Sequence, residues 1–330
     1  MRVSLHRVAT LAGVAPVTVS RVLNTPEKVA PATRAKVRQV MERLGYVPNL
    51  VASSLASARS RIVALLVPTL SHPMVEAAIQ GLSEALRPID YHLIIGETGY
   101  EAPNSPAFVT AILGRRPEAF VALGPVRDPK ARRLLQDSRI PVVQIWDLPE
   151  APPVGAAVGF RNYAAAHAMV EHLIERGYRR IGFVALVGDQ RVDQRHAAWR
   201  ACLAARGLIP PFEHRPRQFD PFYDVTPDFL RLLDAHPDTD ALFCDTDTTA
   251  HFVLFACLRR GWKVPQRIAV AGFGDFPLSG RMVPSLTSVR VHPRRIGRRA
   301  GEIIVSQLRG EPAPMAVEDT GFEIVPREST

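Results

Sequence analysis

Residues 9–24 read Ala-Thr-Leu-Ala-Gly-Val-Ala-Pro-Val-Thr-Val-Ser-Arg-Val-Leu-Asn. The apolar residues Val8, Ala9 and Leu11 mark one short helix, and Gly13 allows a tight turn after it. Pro16 can begin a second helix because the N–H that proline lacks would have no partner in the first turn. This pattern predicts a helix-turn-helix unit.

The second helix has an apolar face and a face of mostly short, polar or cationic side chains. Val19, Val22 and Leu23 recur at helical spacing and predict the packed face. The opposite face suits the major groove of DNA, where Val17 is expected to touch a thymine methyl group and Arg21 to pair with guanine. A helical hairpin with a solvated polar face is the alternative interpretation. The residues expected to contact DNA are Pro16, Val17, Thr18, Ser20, Arg21 and Asn24.

The positive charge of the chain is concentrated around this stretch. The 330 residues include 41 Lys and Arg against 32 Asp and Glu, a net charge of +9. Residues 1–61 contain ten of the basic and two of the acidic side chains, so they carry +8 and the rest carries +1. This distribution favours a polyanion-binding module joined to a near-neutral domain over a solvated hairpin.

Composition narrows the class of protein. Hydrophobic residues make up 47% of the chain, enough for a sizeable core, and the length allows two or three domains. No run comes near the roughly 18 consecutive apolar residues of a membrane span, and the first residues lack the apolar segment of a signal peptide, so we expect a cytoplasmic protein. Cys202, Cys244 and Cys257 lack C-x-x-C spacing, which predicts reduced, buried thiols rather than disulfides or a metal site.

From Arg61 onward, short apolar runs alternate with amphipathic helical patterns. This alternation predicts βαβ units and parallel sheets. Two successive doubly wound units predict two lobes, with the carboxyl ends of their strands facing a cleft between them. The predicted strands cover residues 62–67, 92–95, 119–123, 142–146, 181–184, 241–244, 268–271, 285–291 and 321–325.

Ordered motifs recur along the chain. The amino-terminal set is Gly13-Val14, Thr18-Val19-Ser20-Arg21-Val22-Leu23-Asn24, Thr33-Arg34, Leu44-Gly45-Tyr46-Val47-Pro48-Asn49 and Ala52-x-x-Leu55. The later set is Gly261-Trp262-x-Val264-Pro265, Pro284-Ser285-Leu286-Thr287 and Arg327-Glu328-Ser329-Thr330. With these motifs, essentially the whole chain resembles the lactose/galactose repressor family. Within that family, the segments 96–100, 114–117, 141–147 and 158–162 look most like gluconate-operon repressors.

The resemblance implies a fold and a domain order. The implied fold is α/β, with an N-terminal helix-turn-helix headpiece and a two-lobed, periplasmic-binding-protein-like core of two doubly wound parallel sheets. It also implies a hinge that becomes helical on operator DNA, with Leu55 wedged into the minor groove and supported by Ala52. The implied boundaries are 1–48 for the headpiece, 49–60 for the hinge, 61–160 and 290–318 for the first lobe, and 161–289 and 319–330 for the second.

Residues at the predicted strand ends form the candidate effector site. A polyol or sugar acid needs carboxylates and amides for its hydroxyl groups, an aromatic face for its C–H surface and a cation for any carboxylate. In the family, the arginine of an R-x-x-G-F/W motif contacts the ligand, and Arg195 occupies that place here, with Ala198 in place of the glycine. The expected site is Ser71, Met74, Thr98, Trp146, Asp147, Phe160, Arg195, Trp199, Asp247 and Asp275.

The chain departs from the family pattern at several positions. Thr246 stands where the family usually has Asn, and Gly274 stands where it often has Asp. Ala15 replaces a common Ser before the second helix, which should weaken the helix cap by about 1 kcal/mol. These differences leave the effector and the operator sequence open.

These features together predict a homodimeric, sequence-specific transcription regulator that binds near-palindromic, double-stranded operator DNA. We expect a repressor of sugar-acid genes that a sugar or sugar acid releases from DNA by changing the angle between the lobes. A corepressor-dependent regulator and a solute-binding sugar receptor are the alternatives. The chain lacks G-x-S-x-G, P-loop, G-x-G-x-x-G and H-E-x-x-H motifs, so we expect neither an enzyme nor a cofactor.

Overall fold

The computed structural model describes residues 3–46, 59–100, 102–186, 190–215, 226–311 and 316–330. The chain forms two compact units, Met1–Arg61 and Ile62–Thr330. No helix in these described ranges is long and apolar enough to cross a lipid bilayer.

The first unit contains the helices α1 (Leu5–Ala12), α2 (Pro16–Asn24) and α3 (Pro31–Leu44). Ser4 caps α1 because its side chain accepts a hydrogen bond from the backbone N–H of Arg7. Gly13 ends α1 with φ near +61°, a left-handed conformation that glycine adopts at low cost. The predicted helix-turn-helix is therefore confirmed, and α3 completes a unit of three helices.

A small apolar core holds the three helices together. Val8, Ala12, Val19 and Val37 are fully buried in it. Leu11 is 46% exposed, although its side chain is apolar. The buried stripe of α1 runs through Val8 and Ala12, one turn apart, and leaves Leu11 at its edge.

The second unit alternates strands and helices along the chain. Its first half contains β1 (Ile62–Val67), α4 (Pro73–Leu86), β2 (His92–Glu97), α5 (Pro106–Leu113), β3 (Ala119–Leu123), α6 (Pro129–Ser138), β4 (Val142–Asp147) and β5 (Ala156–Phe160). Its second half contains α7 (Asn162–Glu175), β6 (Ile181–Val184), α8 (Gln190–Ala205), β7 (Glu213–His214), α9 (Thr226–Ala235), β8 (Ala241–Cys244), α10 (Asp247–Arg259), β9 (Ala269–Gly274), β10 (Thr287–Arg290), α11 (Pro293–Leu308), β11 (Val317–Asp319) and β12 (Glu323–Val325).

Two sheets organise these elements. The first has the order β11-β5-β4-β3-β1-β2, and the second has the order β12-β10-β9-β8-β6-β7. The paired strands of the first sheet are parallel, and the second sheet differs only in its antiparallel β10–β12 pair among the described pairings. The predicted α/β fold of two sheets is confirmed. Strands such as β3 and β8 are apolar throughout because both faces of a parallel sheet are covered.

The chain passes between the sheets after β5, after β10 and after β11. Two residues at the boundaries between the lobes pair in the other sheet from the one that the resemblance implies. Arg290, placed in the first lobe, pairs with Gly274 and Glu323 in the second sheet. Asp319, placed in the second lobe, pairs with Gly159 in the first sheet. Both corrections have one cause. Each strand stays hydrogen-bonded to its sheet up to its last residue, and only then does the chain pass to the other lobe.

Helix α11 returns to the first lobe and packs closely on α4. A Cβ atom on Gly297 would lie 1.9 Å from the backbone oxygen of Ala78, and one on Gly81 would lie 2.0 Å from that of Arg294. Only glycine fits at such distances, so these two positions set the separation of the helices. The buried face of α11 consists of Ile296, Ala300, Ile303 and Ile304.

Candidate functional site

The predicted recognition helix α2 has a packed face and an open face. Val19 and Val22 are buried against the other two helices, whereas Val17 is 54% exposed. Arg21 is exposed on the same helix. Ala15 offers no side-chain hydrogen bond to the start of α2, as its apolar side chain requires.

The interlobe cleft begins where β4 and β5 end. An aromatic row crosses it, in which the rings of Trp146 and Phe160 lie 5.7 Å apart and those of Phe160 and Phe273 lie 6.1 Å apart. The guanidinium carbon of Arg195 lies 3.6 Å from the centre of the Phe273 ring. Trp146, Phe160, Phe273 and Arg195 are all buried, so the aromatic row and the cation at its end form a closed contact in this arrangement.

A buried polar network joins the two lobes beside this row. Asp147, at the end of β4, accepts hydrogen bonds from Asn162 Nδ2 at 3.0 Å and from Gln194 Nε2 at 2.8 Å. Asn162 Oδ1 accepts from Arg195 Nε at 3.2 Å and from Arg195 Nη2 at 2.9 Å. Arg195 Nη1 also donates to the backbone oxygen of Asp245 at 2.5 Å. The network therefore runs from a carboxylate of the first lobe to a cation of the second.

Trp146 is strained and incompletely hydrogen-bonded. Its backbone has φ near +96°, which is rare for a residue with a bulky side chain. Its indole N–H is buried and finds no hydrogen-bond partner among the described residues, and the same holds for Gln194 Oε1. Strain and unsatisfied buried polar atoms are concentrated at ligand sites, because a ligand can supply the missing partner.

Further contacts between the lobes surround the network. The rings of His72 and Phe276 meet edge to face at 5.7 Å, and the guanidinium of Arg191 lies 5.7 Å from the Tyr100 ring. Arg127, which follows β3, faces the side-chain amide of Gln190 at the start of α8. The two lobes thus touch at several points in addition to the aromatic row.

Known protein families match both the N-terminal unit and the second unit of the chain. The model for bacterial regulatory proteins of the lacI family matches residues 4–49, and that for a periplasmic binding protein-like domain matches residues 170–330. The HTH-type transcriptional regulator GntR of Pseudomonas aeruginosa is 36% identical over 333 residues, which cover 100% of this chain and 96% of the relative. The chain belongs to the lacI family. It is a DNA-binding transcription regulator.

Solved structures agree with this family and its architecture. A lacI-family transcriptional regulator from Silicibacter pomeroyi is 28% identical, with a TM-score of 0.89 and 99% of each chain covered. A complex of the transcriptional regulator CelR with cellobiose is 26% identical, with a TM-score of 0.68 and 100% of each chain covered. The predicted family, fold and functional class of this lacI-family regulator are confirmed, and its relatives are regulators rather than enzymes.

The structure brings part of the predicted effector set to the cleft. Trp146, Asp147, Phe160 and Arg195 meet there, as the distances above show. Met74 also reaches the second lobe, since its sulfur lies 3.1 Å from where a Cβ on Gly274 would stand. Ser71 is exposed before α4, and Thr98 Oγ1 donates to the backbone oxygen of Val67 at 3.1 Å.

Three predicted effector residues have protein partners instead. Asp247 is fully buried and accepts hydrogen bonds from the backbone N–H of Phe276 and from the hydroxyls of Ser279 and Ser288. Burial raises the pKa of the Asp247 carboxyl, although the two serine hydroxyls oppose this effect. This carboxylate therefore holds the loop after β9 in place.

Trp199 and Asp275 also bond to other groups of the protein. Trp199 is fully buried in the core, where its indole N–H donates to the backbone oxygen of Ile181 at 3.2 Å. Asp275 forms ion pairs of 2.6 Å with both Arg290 and Arg327. Trp199 is therefore closed off from solvent, whereas Asp275, although paired, also lines a cavity with Arg281 and Arg327.

The residues expected to contact DNA differ in their exposure, and two of them lie outside the described residues. Pro16, Val17 and Arg21 are exposed, and Thr18 and Ser20 are half-buried on α2. The backbone of Asn24 ends that helix. Ala52 and Leu55 lie outside the described residues, so the hinge contact stays a prediction.

The sequence did not indicate Gln194 and Phe273 as site residues. Gln194 directly precedes Arg195, and Phe273 ends the apolar run of β9. Their positions beside a motif residue and at the end of a strand were the available signals. The contact of Gln194 with Asp147 forms only where the two lobes meet, and that of Phe273 with Arg195 forms only in the folded second lobe.

Proposed function

We propose that this lacI-family regulator is a repressor of genes for sugar-acid breakdown, and that a gluconate-like effector in the interlobe cleft releases it from its operator. The observation that carries the proposal is the pair of unsatisfied polar atoms in the cleft. Trp146 Nε1 is a donor and Gln194 Oε1 is an acceptor, and neither has a partner among the described residues. A hydroxyl group both accepts and donates, so a polyol suits this pair.

The other proposed contacts supply what a sugar acid requires. In a cleft opened by the ligand, the buried Phe160 and Phe273 rings provide apolar faces and Asp147 exchanges its protein hydrogen bonds for ligand hydroxyls. Arg195 provides positive charge for a ligand carboxylate. The cellobiose bound by CelR, a solved relative, favours a carbohydrate ligand for this fold. The resemblance of segments such as 141–147 to gluconate-operon repressors narrows the class to sugar acids.

Coupling to DNA follows from the position of the network. Asp147 lies on the first lobe and its partners Asn162 and Gln194 lie on the second, so a ligand that inserts among them changes the interlobe contacts. Only a difference in ligand affinity between two lobe arrangements can shift their populations. We propose that the effector-bound arrangement separates the hinge segments of residues 49–60 and withdraws Leu55 from the minor groove. The regulator acts in the cytoplasm, where its operator is.

A second copy of the chain is the proposed partner of an apolar surface on the second lobe. Leu258 is 71% exposed and Val283 is 91% exposed, beside a cavity of about 190 Å³ lined also by Phe255, Leu278 and Met282. Exposed apolar patches of this kind mark protein interfaces. Sedimentation of Leu258→Asp should show a monomer where the unchanged chain forms a dimer, and a variant that stays dimeric would remove this surface from the interface.

A gel-shift titration of the purified protein on the DNA upstream of its own gene tests the function. We expect specific binding that gluconate weakens at fixed salt, since operator affinity depends steeply on salt. Binding that gluconate strengthens would indicate a corepressor. Failure to prefer this DNA over a scrambled duplex would count against the proposed operator.

A further inference from the structure

Three potential metal ligands meet where α7 packs on α8. His167 and Glu171 are one helical turn apart on α7, so their side chains share a face. Cys202 faces them from α8. One ligand atom of each residue lies within 4.8 Å of the other two. None of the three belongs to the effector network described above.

The surroundings hold these side chains in place. The Cys202 thiol donates to Glu171 Oε1 at 3.1 Å, while Arg206 pairs with Glu171 Oε2. The Tyr163 ring stacks on the His167 ring, with their centres 6.2 Å apart and their planes at 27°. Because Arg206 holds Oε2, the other oxygen of Glu171, Oε1, points at the thiol. Groups that bond to metal ligands commonly orient those ligands in this way.

The cluster combines one sulfur, one imidazole nitrogen and one carboxylate oxygen. Zn²⁺ accepts all three ligand types, whereas Mg²⁺ and Ca²⁺ require oxygen ligands. Tetrahedral Zn²⁺ with ordinary bond lengths places its ligand atoms about 3.5 Å apart. The three atoms therefore need to approach one another by about 1.3 Å at most, which rotation of the half-buried His167 and Glu171 side chains can supply.

We propose that His167, Glu171 and Cys202 form a zinc-binding site. On binding, a zinc–sulfur bond replaces the S–H bond of Cys202, and the proton passes to solvent. Glu171 binds through Oε1 and keeps its ion pair with Arg206 through Oε2. A water molecule completes the tetrahedron on the side where His167 and Glu171 reach solvent.

The site has a consequence for the cleft. Helix α7 begins at Asn162 and α8 carries Gln194 and Arg195, so a zinc ion between the two helices would brace the elements that position the cleft network. A ligand that binds only the folded state also raises its stability. We therefore expect zinc to raise the melting temperature of the full chain.

Cobalt titration of the metal-free, untagged full-length protein tests the site. Co²⁺ substitutes for Zn²⁺, and a thiolate bound to it gives a near-ultraviolet charge-transfer band. We expect that band to saturate at one equivalent and to disappear when zinc displaces the cobalt. In Cys202→Ser the band should be absent and zinc affinity should fall at least about 100-fold.

Two further variants complete the experiment. Cys257→Ser removes another fully buried thiol, and it should keep the band and the zinc affinity. His167→Gln changes a half-buried side chain, so it should fold normally and lose at least about 100-fold in zinc affinity. A missing band in the unchanged protein, a band that survives Cys202→Ser, or full zinc affinity in a folded His167→Gln protein would overturn the proposal.

Discussion

Arg195 donates two hydrogen bonds to the side-chain oxygen of Asn162, at 3.2 and 2.9 Å. This fixes the orientation of the Asn162 amide, whose nitrogen then donates to Asp147 across the cleft at 3.0 Å. One asparagine thus connects a buried cation to a buried carboxylate of the other lobe. Charged groups in a buried position are stable only with such partners, so the two lobes depend on Asn162 at this point.

Asn162→Ala should destabilise the second unit by about 2 kcal/mol, because Arg195 and Asp147 each lose a buried hydrogen-bond partner. Urea unfolding followed by circular dichroism measures the change. Asn104 is the matched control, since it is also buried but its Oδ1 has no partner among the described residues. If Asn104→Ala cost as much as Asn162→Ala, the network would have no special role in stability.

Trp146→Phe should weaken gluconate binding about tenfold and leave operator affinity unchanged. The substitution keeps an aromatic ring and removes the buried N–H that we assign to a ligand hydroxyl, a hydrogen bond of about 1 kcal/mol or more. Calorimetric titration gives the affinity. Trp199→Phe is the control, because its N–H already bonds to Ile181, so this variant should lose stability rather than gluconate affinity. Equal gluconate affinity in Trp146→Phe and the unchanged protein would remove Trp146 from the site.

Arg21→Ala should reduce specific operator affinity by about 10- to 100-fold while gluconate binding persists. A bidentate arginine–guanine contact contributes about 1–3 kcal/mol of discrimination, and Arg21 is exposed on α2. Fluorescence anisotropy with operator and scrambled duplexes separates the two kinds of binding. Arg43→Ala removes the same charge from the exposed surface of α3 and should weaken both duplexes alike. If Arg21→Ala preferred the operator over the scrambled duplex as strongly as the unchanged protein does, Arg21 would not contact a base.

Gly274→Asp would restore the residue that the family often has, and we expect it to destabilise the protein by more than 2 kcal/mol. The backbone has φ near +127°, and a Cβ atom there would lie 2.4 Å from the Phe276 ring. Gly177→Ala is the control, since its φ is near +101° but no atom lies within 4 Å of the added Cβ. Thermal unfolding of both variants should therefore show a larger loss at Gly274, and a tolerated aspartate would mean that this loop adjusts.

The elements that could be predicted from sequence are those with a strong local signal. β3 and β8 are unbroken apolar runs because the sheets are covered on both faces. The sequence did not predict β5 because Ala156, Ala157 and Gly159 give it little hydrophobic contrast. Only glycine fits at position 159, since a Cβ atom there would lie 2.1 Å from the backbone oxygen of Trp146. Short strands such as β11 are defined by their partners rather than by their own residues.

Some residues of the candidate site could be predicted from sequence, and others are defined only by the fold. Asp147 follows a predicted strand and Arg195 lies in a family motif, so both were expected. Asp247 has the same sequence signal, but its partners Ser279 and Ser288 are more than 30 residues away and only the fold brings them to it. The cluster of His167, Glu171 and Cys202 also depends on the fold, because no motif spacing in the sequence relates Cys202 to the two residues on α7.

The central claim is that the cleft around Arg195 controls operator binding. We would titrate gluconate into labelled operator complexes of the unchanged protein and of Arg195→Met, which keeps an apolar stem over Phe273 and removes the guanidinium. The account predicts that gluconate releases the unchanged protein, whereas Arg195→Met binds operator within about twofold of normal and stays bound at every gluconate concentration. Release of Arg195→Met at the gluconate concentration that releases the unchanged protein would contradict the account.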